Sequence, residues 1–150
     1  MRASVVGGGT ITDSERALAE AIGRELAARG HTVVCGGLGG TMAAVCRGAK
    51  REDGTTIGIL PGDNPEAANE HVDVSIATGL GHARNALVPL NGDAVVALAG
   101  SAGTLSEIGF AAVYDRPIVG LGTHEIDALE IEVVETPEAA VEALEDAVSG

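Results

Sequence analysis

Tryptophan is absent from this chain, and Phe110 and Tyr114 are its only aromatic residues. The hydrophobic fraction of 45% therefore rests on Ala, Val, Ile and Leu, and such small aliphatic side chains suit close packing of helices on a sheet. Basic residues are also scarce. Lys50 is the sole lysine, and 9 basic against 22 acidic residues leave a formal charge of -13. That charge repels phosphate backbones and anionic membranes and leaves no basic stripe to hold either, so neither nucleic acid nor a membrane surface is expected as a partner. An acidic surface with so little lysine also resembles surfaces adapted to a high-salt cytosol, where screening removes the self-repulsion.

Long apolar runs are missing too: none approaches the roughly 18 residues of a membrane helix. Met1 leads directly into a strand-like apolar run, not into a charged segment and a cleavage site, so a cytoplasmic protein is expected. Cysteine occurs twice, at Cys35 and Cys46, each in apolar surroundings. Buried reduced thiols are expected there, with neither a disulfide nor a metal site. No repeat, low-complexity tract or linker interrupts the chain, and 150 residues suffice for one domain with its own core.

What the sequence does contain is an alternation of short β-branched runs with helical stretches, the pattern of parallel strands joined by right-handed crossovers. Strands are expected at Ala3 to Val6, His31 to Cys35, Thr55 to Leu60, Val72 to Ala77, Asp93 to Ala99 and Pro117 to Leu121, with a weaker edge strand at Ile131 to Val134. Helices are expected over 13–29, 40–52, 81–91 and 104–115. A last helix opens on Thr136-Pro137-Glu138, which supplies an N-cap, an N1 proline and a first-turn acid. The fully apolar run Ala94 to Ala99 belongs inside the sheet, covered on both faces. The fold class is thus α/β, a Rossmann-like three-layer open sheet, mainly parallel, of about six or seven strands.

Nearly every expected strand ends in glycine. In an open parallel sheet these loops share one edge, where backbone can approach a ligand closely and helix N-termini present free N–H groups. The candidate phosphate-binding positions are Gly8 and Gly9 after the first strand, and Gly37, Gly39, Gly40, Thr41 and Met42 after the second. Gly100, Ser101, Gly103 and Thr104 join them after the fifth. A dinucleotide site normally places an acid at the end of the second strand, where Cys35 and Gly36 stand, so an NAD enzyme is disfavoured. No P-loop pattern occurs, and Lys50 lies outside every glycine loop, so triphosphate hydrolysis is unsupported.

Gly100-Ser101-Ala102-Gly103-Thr104-Leu105-Ser106-Glu107 ends the apolar strand and opens a helix, so its amides near Gly103 and Thr104 face the cleft with the dipole favouring an anion. Glu107 has two readings. Thr104-Leu105-Ser106-Glu107 matches a capping box, in which Glu107 serves the Thr104 amide; alternatively Glu107 stands in the cleft as a catalytic group. Arg84, within Gly81-His82-Ala83-Arg84-Asn85, comes from a neighbouring loop and is a fitting partner for phosphate or carboxylate. His82 reads as a capping or packing residue.

At these residues the sequence resembles the LOG family of nucleoside 5'-monophosphate phosphoribohydrolases. The family signature P-G-G-x-G-T-x-x-E is similar to Ala99 through Glu107, its H-x-R-K element to His82-Ala83-Arg84-Asn85, and its third element to Gly36 through Met42. The departures are Ala99 for proline, Ser101 for glycine and Asn85 for lysine. The compact Gly-Gly-Leu-Gly-Gly-Thr-Met and Gly-His-Ala-Arg-Asn stretches look closer to the molybdenum cofactor carrier branch of the same superfamily.

The resemblance implies one of two functions. One is a binding protein for a phosphorylated small molecule, a nucleotide or a molybdenum-cofactor-type pterin, with no cofactor required. The other is cleavage of a nucleoside 5'-monophosphate to free base and ribose 5-phosphate, with Arg84 and Glu107 as catalytic residues. A homodimer or higher oligomer is expected, because the helices around 81–91 and 104–115 carry more apolar residues than one buried stripe requires.

Overall fold

The computed structural model describes residues 1–150, and its strands form a single seven-stranded sheet. In chain order these are β1 (Arg2–Val6), β2 (Thr32–Cys35), β3 (Thr56–Leu60), β4 (Val74–Ala77), β5 (Ala94–Ala97), β6 (Ile118–Gly120) and β7 (Glu132–Val133). Every pairing is parallel and the order across the sheet is β4-β3-β2-β1-β5-β6-β7. The chain adds strands outward from β1 to β4, then returns to place β5 on the other side of β1, in register from Ala3 opposite Ala94 to Val6 opposite Ala97. The order reverses between β1 and β5, so the loops leaving them diverge and open a crevice at their carboxyl ends.

Helices α1 (Asp13–Ala28), α2 (Thr41–Lys50) and α5 (Pro137–Ser149) cover one face. The other face carries a 3-10 segment (Gly81–Ala86), the short α3 (Leu87–Leu90) and α4 (Ala102–Val113). Strand β5 has both faces covered, as its unbroken apolar sequence requires: Ala94, Val95, Val96 and Ala97 are all fully buried. Cys35 and Cys46 lie buried within the larger core with sulfurs 3.5 Å apart, both as free thiols. The hydrogen bond to Cys35 and burial push the Cys46 thiol up, which keeps it unreactive.

Local sequence signals explain most helix ends. Thr12 and Glu15 close a reciprocal capping box at the start of α1, and the Thr136 hydroxyl accepts from the Ala139 amide at 3.1 Å to open α5. Two helices depart from expectation. The 81–91 segment splits into a 3-10 stretch and the short α3. Pro89 is the physical reason, since its ring crowds the carbonyl four residues back and it has no N–H to offer there. Helix α4 starts at Ala102, ahead of the expected 104, with Ser101 at the N-cap making no side-chain cap. Thr104 is therefore already inside the helix, and the capping box read at Thr104 and Glu107 does not form.

Candidate functional site

The crevice at the β1–β5 reversal is a cleft of about 180 Å³. Its floor is the end of β1, from Val5 through Gly9, together with Gly36 after β2. One wall is Ser101, Gly103, Thr104 and Glu107 at the start of α4, and the other is His82, Arg84 and Asn85 with Met42 from α2. Backbone hydrogen bonds hold the loops together. The Gly8 amide donates to Ala99 O at 2.8 Å, and the Thr41 amide donates to Gly8 O at 3.0 Å.

Two glycines permit this approach. A Cβ at Gly36 would lie 2.6 Å from Met42 Sδ and 3.0 Å from Arg84 Nη2, so glycine lets both side chains lie close against the end of β2. A Cβ at Gly40 would lie 2.5 Å from the carbonyl oxygens of both Gly8 and Gly9, and Gly40 itself has φ +63°.

Of the positions singled out in the sequence, Gly8, Gly9, Met42, Arg84, Ser101, Gly103, Thr104 and Glu107 meet in this lining, while Gly37, Gly39, Gly40, Thr41 and Gly100 lie outside it. Those five shape or flank it. Gly37 packs with φ +79° against Leu60 and Gly58, and its carbonyl accepts from the Asn69 amide at 2.9 Å. Gly39 is exposed at the loop tip. Thr41 is buried under Gly7, and Gly100 gives way to the Thr104 side chain. Conversely Gly7, Gly36, His82 and Asn85 line the cleft without having been marked as binding positions. The polar one of these that is also buried, Asn85, sits where the hydrolase signature carries lysine, and that departure was the one signal for it.

Arg84 and Glu107 dominate the electrostatics, and each is only 8% exposed. The Arg84 guanidinium donates to Gly36 O at 3.3 Å and to Asn85 Oδ1, both neutral, and its Nε has no partner within the chain. Burial pulls its pKa below the ordinary value while the Glu107 charge works the other way; arginine stays protonated all the same. Burial pushes the Glu107 carboxyl up to about 8, against the pull of Arg84. At neutral pH Glu107 is thus largely a neutral acid, and Arg84 is the charge in the cleft. The α4 N-terminus beside them lacks a side-chain cap, so its first amides remain available to an acceptor.

A larger cavity, about 540 Å³, lies between the end of β6 and the 122–131 segment. Its polar lining includes Glu125, Asp127 and Glu135 and no arginine or lysine, a poor setting for an anion. No group of three or more His, Cys, Asp or Glu side chains is placed to hold a metal ion. No helix is long and apolar enough to cross a membrane.

The open parallel sheet with glycine-rich loops at its carboxyl edge defines a Rossmann-like α/β protein. The model of the SLOG cluster4 family matches residues 1–148, and the chain belongs to that family. An uncharacterized protein of Archaeoglobus fulgidus is 36% identical over 142 residues, spanning 94% of this chain and 92% of the relative. A cytokinin riboside 5'-monophosphate phosphoribohydrolase of Mycobacterium marinum is 33% identical over 113 residues, 69% of this chain but 60% of the relative's own length.

Two solved structures superpose along nearly the whole chain. The molybdenum cofactor binding protein of the phototrophic bacterium Rippkaea orientalis gives a TM-score of 0.90 at 31% identity, covering 98% of this chain and 96% of that one. The molybdenum cofactor carrier protein of Chlamydomonas reinhardtii gives 0.89 at 29% identity, covering 99% of each. The LOG-type resemblance read from the three motifs therefore holds, on the carrier side of that group.

Proposed function

We propose that this protein binds a phosphorylated small molecule at the β1–β5 cleft and holds it without turnover, the ligand being a molybdenum-cofactor-type pterin or a nucleoside monophosphate. The observation that carries this reading is Arg84. A buried guanidinium with only neutral partners and an unpartnered Nε, beside an uncapped helix N-terminus, is a stable arrangement when an anion completes it. Because Glu107 is largely neutral at pH 7, it does not repel that anion.

Size supports a site built around one end of a ligand. Sites that enclose a whole small molecule occupy about 300–1,000 Å³, whereas this cleft has about 180 Å³. A cleft of that size suits the phosphate end of the ligand. The relatives whose folds match end to end are named for binding or carrying the molybdenum cofactor.

The second reading, phosphoribohydrolase, is favoured by one specific feature. A protonated Glu107 in the cleft is a proton donor for a departing base. Purified protein examined by native mass spectrometry, then incubated with the four common nucleoside monophosphates, separates the two. The carrier reading expects a co-purified phosphorylated ligand or its stoichiometric uptake, with no free base. Catalytic release of base replaces it with the hydrolase reading, and absence of both a bound phosphorylated species and base release removes both.

A further inference from the structure

We propose that Asn85 is a positioning residue, the acceptor that fixes the Arg84 guanidinium for anion capture and ties it to the N-terminal turn of α4. The inference rests on the binding reading above, and it concerns how the free cleft is already set for its ligand.

The hydrogen-bond directions are forced by chemistry. Arginine only donates, so the Asn85 oxygen must face it, and Arg84 Nη1 donates to Asn85 Oδ1. The amide nitrogen of Asn85 then points to α4 and donates to Ser106 Oγ at 3.2 Å. The Ser106 hydroxyl in turn donates to Gly103 O at 2.6 Å. A one-way chain therefore runs from the guanidinium through Asn85 and Ser106 to the peptide at Gly103, beside the amides that open α4. Asn85 is itself only 8% exposed, so water does not readily substitute for it.

The far side of the guanidinium is anchored as well, by Nη2 donating to Gly36 O at 3.3 Å. Held at both ends, the Arg84 side chain that lines the cleft loses little rotamer freedom when an anion arrives. Lysine, which the hydrolase signature has at this position, cannot accept from Arg84. It would bring a second positive charge and break the chain. Asparagine yields one ordered cation in place of two.

The test uses full-length protein with adenosine 5'-monophosphate and inorganic pyrophosphate as probes, followed by titration calorimetry. Asn85→Ala, Ser106→Ala, Arg84→Ala and the Arg84/Asn85 double variant are compared with the parent. Loss of the acceptor is expected to weaken the parent's binding by roughly tenfold, in keeping with a buried hydrogen bond to a charged group. In the Arg84→Ala background the same change is expected to do almost nothing.

A purely structural role would instead weaken both backgrounds alike, and that result, or parental affinity in Asn85→Ala, overturns the proposal. A readout in the ligand-free protein keeps the question separate from ligand choice. The Arg84 Nε–H resonance in nitrogen-15 spectra is expected to be sharp and resolved in the parent and averaged towards free arginine in Asn85→Ala, with Ser106→Ala intermediate. An unchanged resonance overturns the positioning role even where binding is detected. A parent that binds neither probe while showing the expected resonance change overturns the binding reading alone.

Discussion

Glu107 is the residue whose charge state couples stability to pH. An unfolded glutamate ionises near 4.5, whereas burial holds the folded side chain protonated up to about 8. Between these values the native state keeps a proton the unfolded chain has lost, so rising pH destabilises the fold, by on the order of 5 kcal/mol once both states are ionised. Glu107→Gln removes this dependence. Its melting temperature should match the parent's near pH 4.5 and exceed it by a margin that grows up to about pH 8 and then levels off. A gap that does not vary with pH would show an ordinary carboxylate at this position. Phosphate affinity should fall in the parent as pH passes 8 and stay level in the variant, because only the parent gains a negative charge beside the anion. Gly103 offers the complementary experiment. A Cβ there would meet nothing nearer than Asn85 Nδ2 at 3.6 Å, so the fold does not need glycine in this helical turn. Gly103→Ala should stabilise the chain by up to about 1 kcal/mol in thermal denaturation. Calorimetry should show phosphate-ligand binding weakened at least about tenfold, since the methyl group intrudes on the amides. Unaltered affinity would move the ligand away from α4.

Helix α4 faces both ways. Thr104, Glu107, Ile108 and Ala111 turn inward, while Leu105, Phe110 and Val113 are among the exposed large hydrophobic residues of the chain. Gly109 lies between them with nothing within 4 Å of its missing Cβ, a notch suited to another surface, and Leu90 of α3 adds to the patch. A second copy is the expected cover, as the excess of apolar residues in these segments first suggested. Sedimentation should give a dimer or larger assembly in both low and high salt, and Val113→Glu, at a position 73% exposed, should shift it towards monomer without unfolding it. A monomeric parent in both salts would remove the expectation. Elements are also the scale at which the sequence was most readable. The β-α alternation, the apolar β5 and the Thr136-Pro137 start of α5 all follow from period, burial and capping chemistry. The same T-x-x-E spacing occurs at Thr12 and at Thr104, yet only Thr12 makes a box. Sequence spacing cannot reveal that α4 begins early enough to carry Thr104 into its interior. For the candidate site, the loops that converge were legible as glycine runs at strand ends. Which glycines face the cleft was not, because Gly37 and Gly40 are needed for backbone packing that depends on the distant partners Gly58, Gly8 and Gly9.

Across the whole molecule, a charge of -13 on 150 residues means that much of the surface repels itself. Raising the salt from about 0.1 to 2 M should raise the melting temperature by roughly 5 °C through screening, and scanning calorimetry in potassium chloride checks it. An unchanged value would mean that local ion pairs, such as Arg29 with Glu25 and Glu145, already balance the field. The position of β1 between β2 and β5 has a consequence for synthesis. As the chain leaves the ribosome, β1 meets β2 early, but its other edge stays bare until Ala94 to Ala97 have emerged to pair with Ala3 to Val6. The wall formed by α4 comes later still. A nascent chain therefore has no pocket until the start of α4 has emerged, and a ligand can recognise it only from that point on. Occupancy then stabilises states in which β5 and α4 are in place and none of the earlier ones.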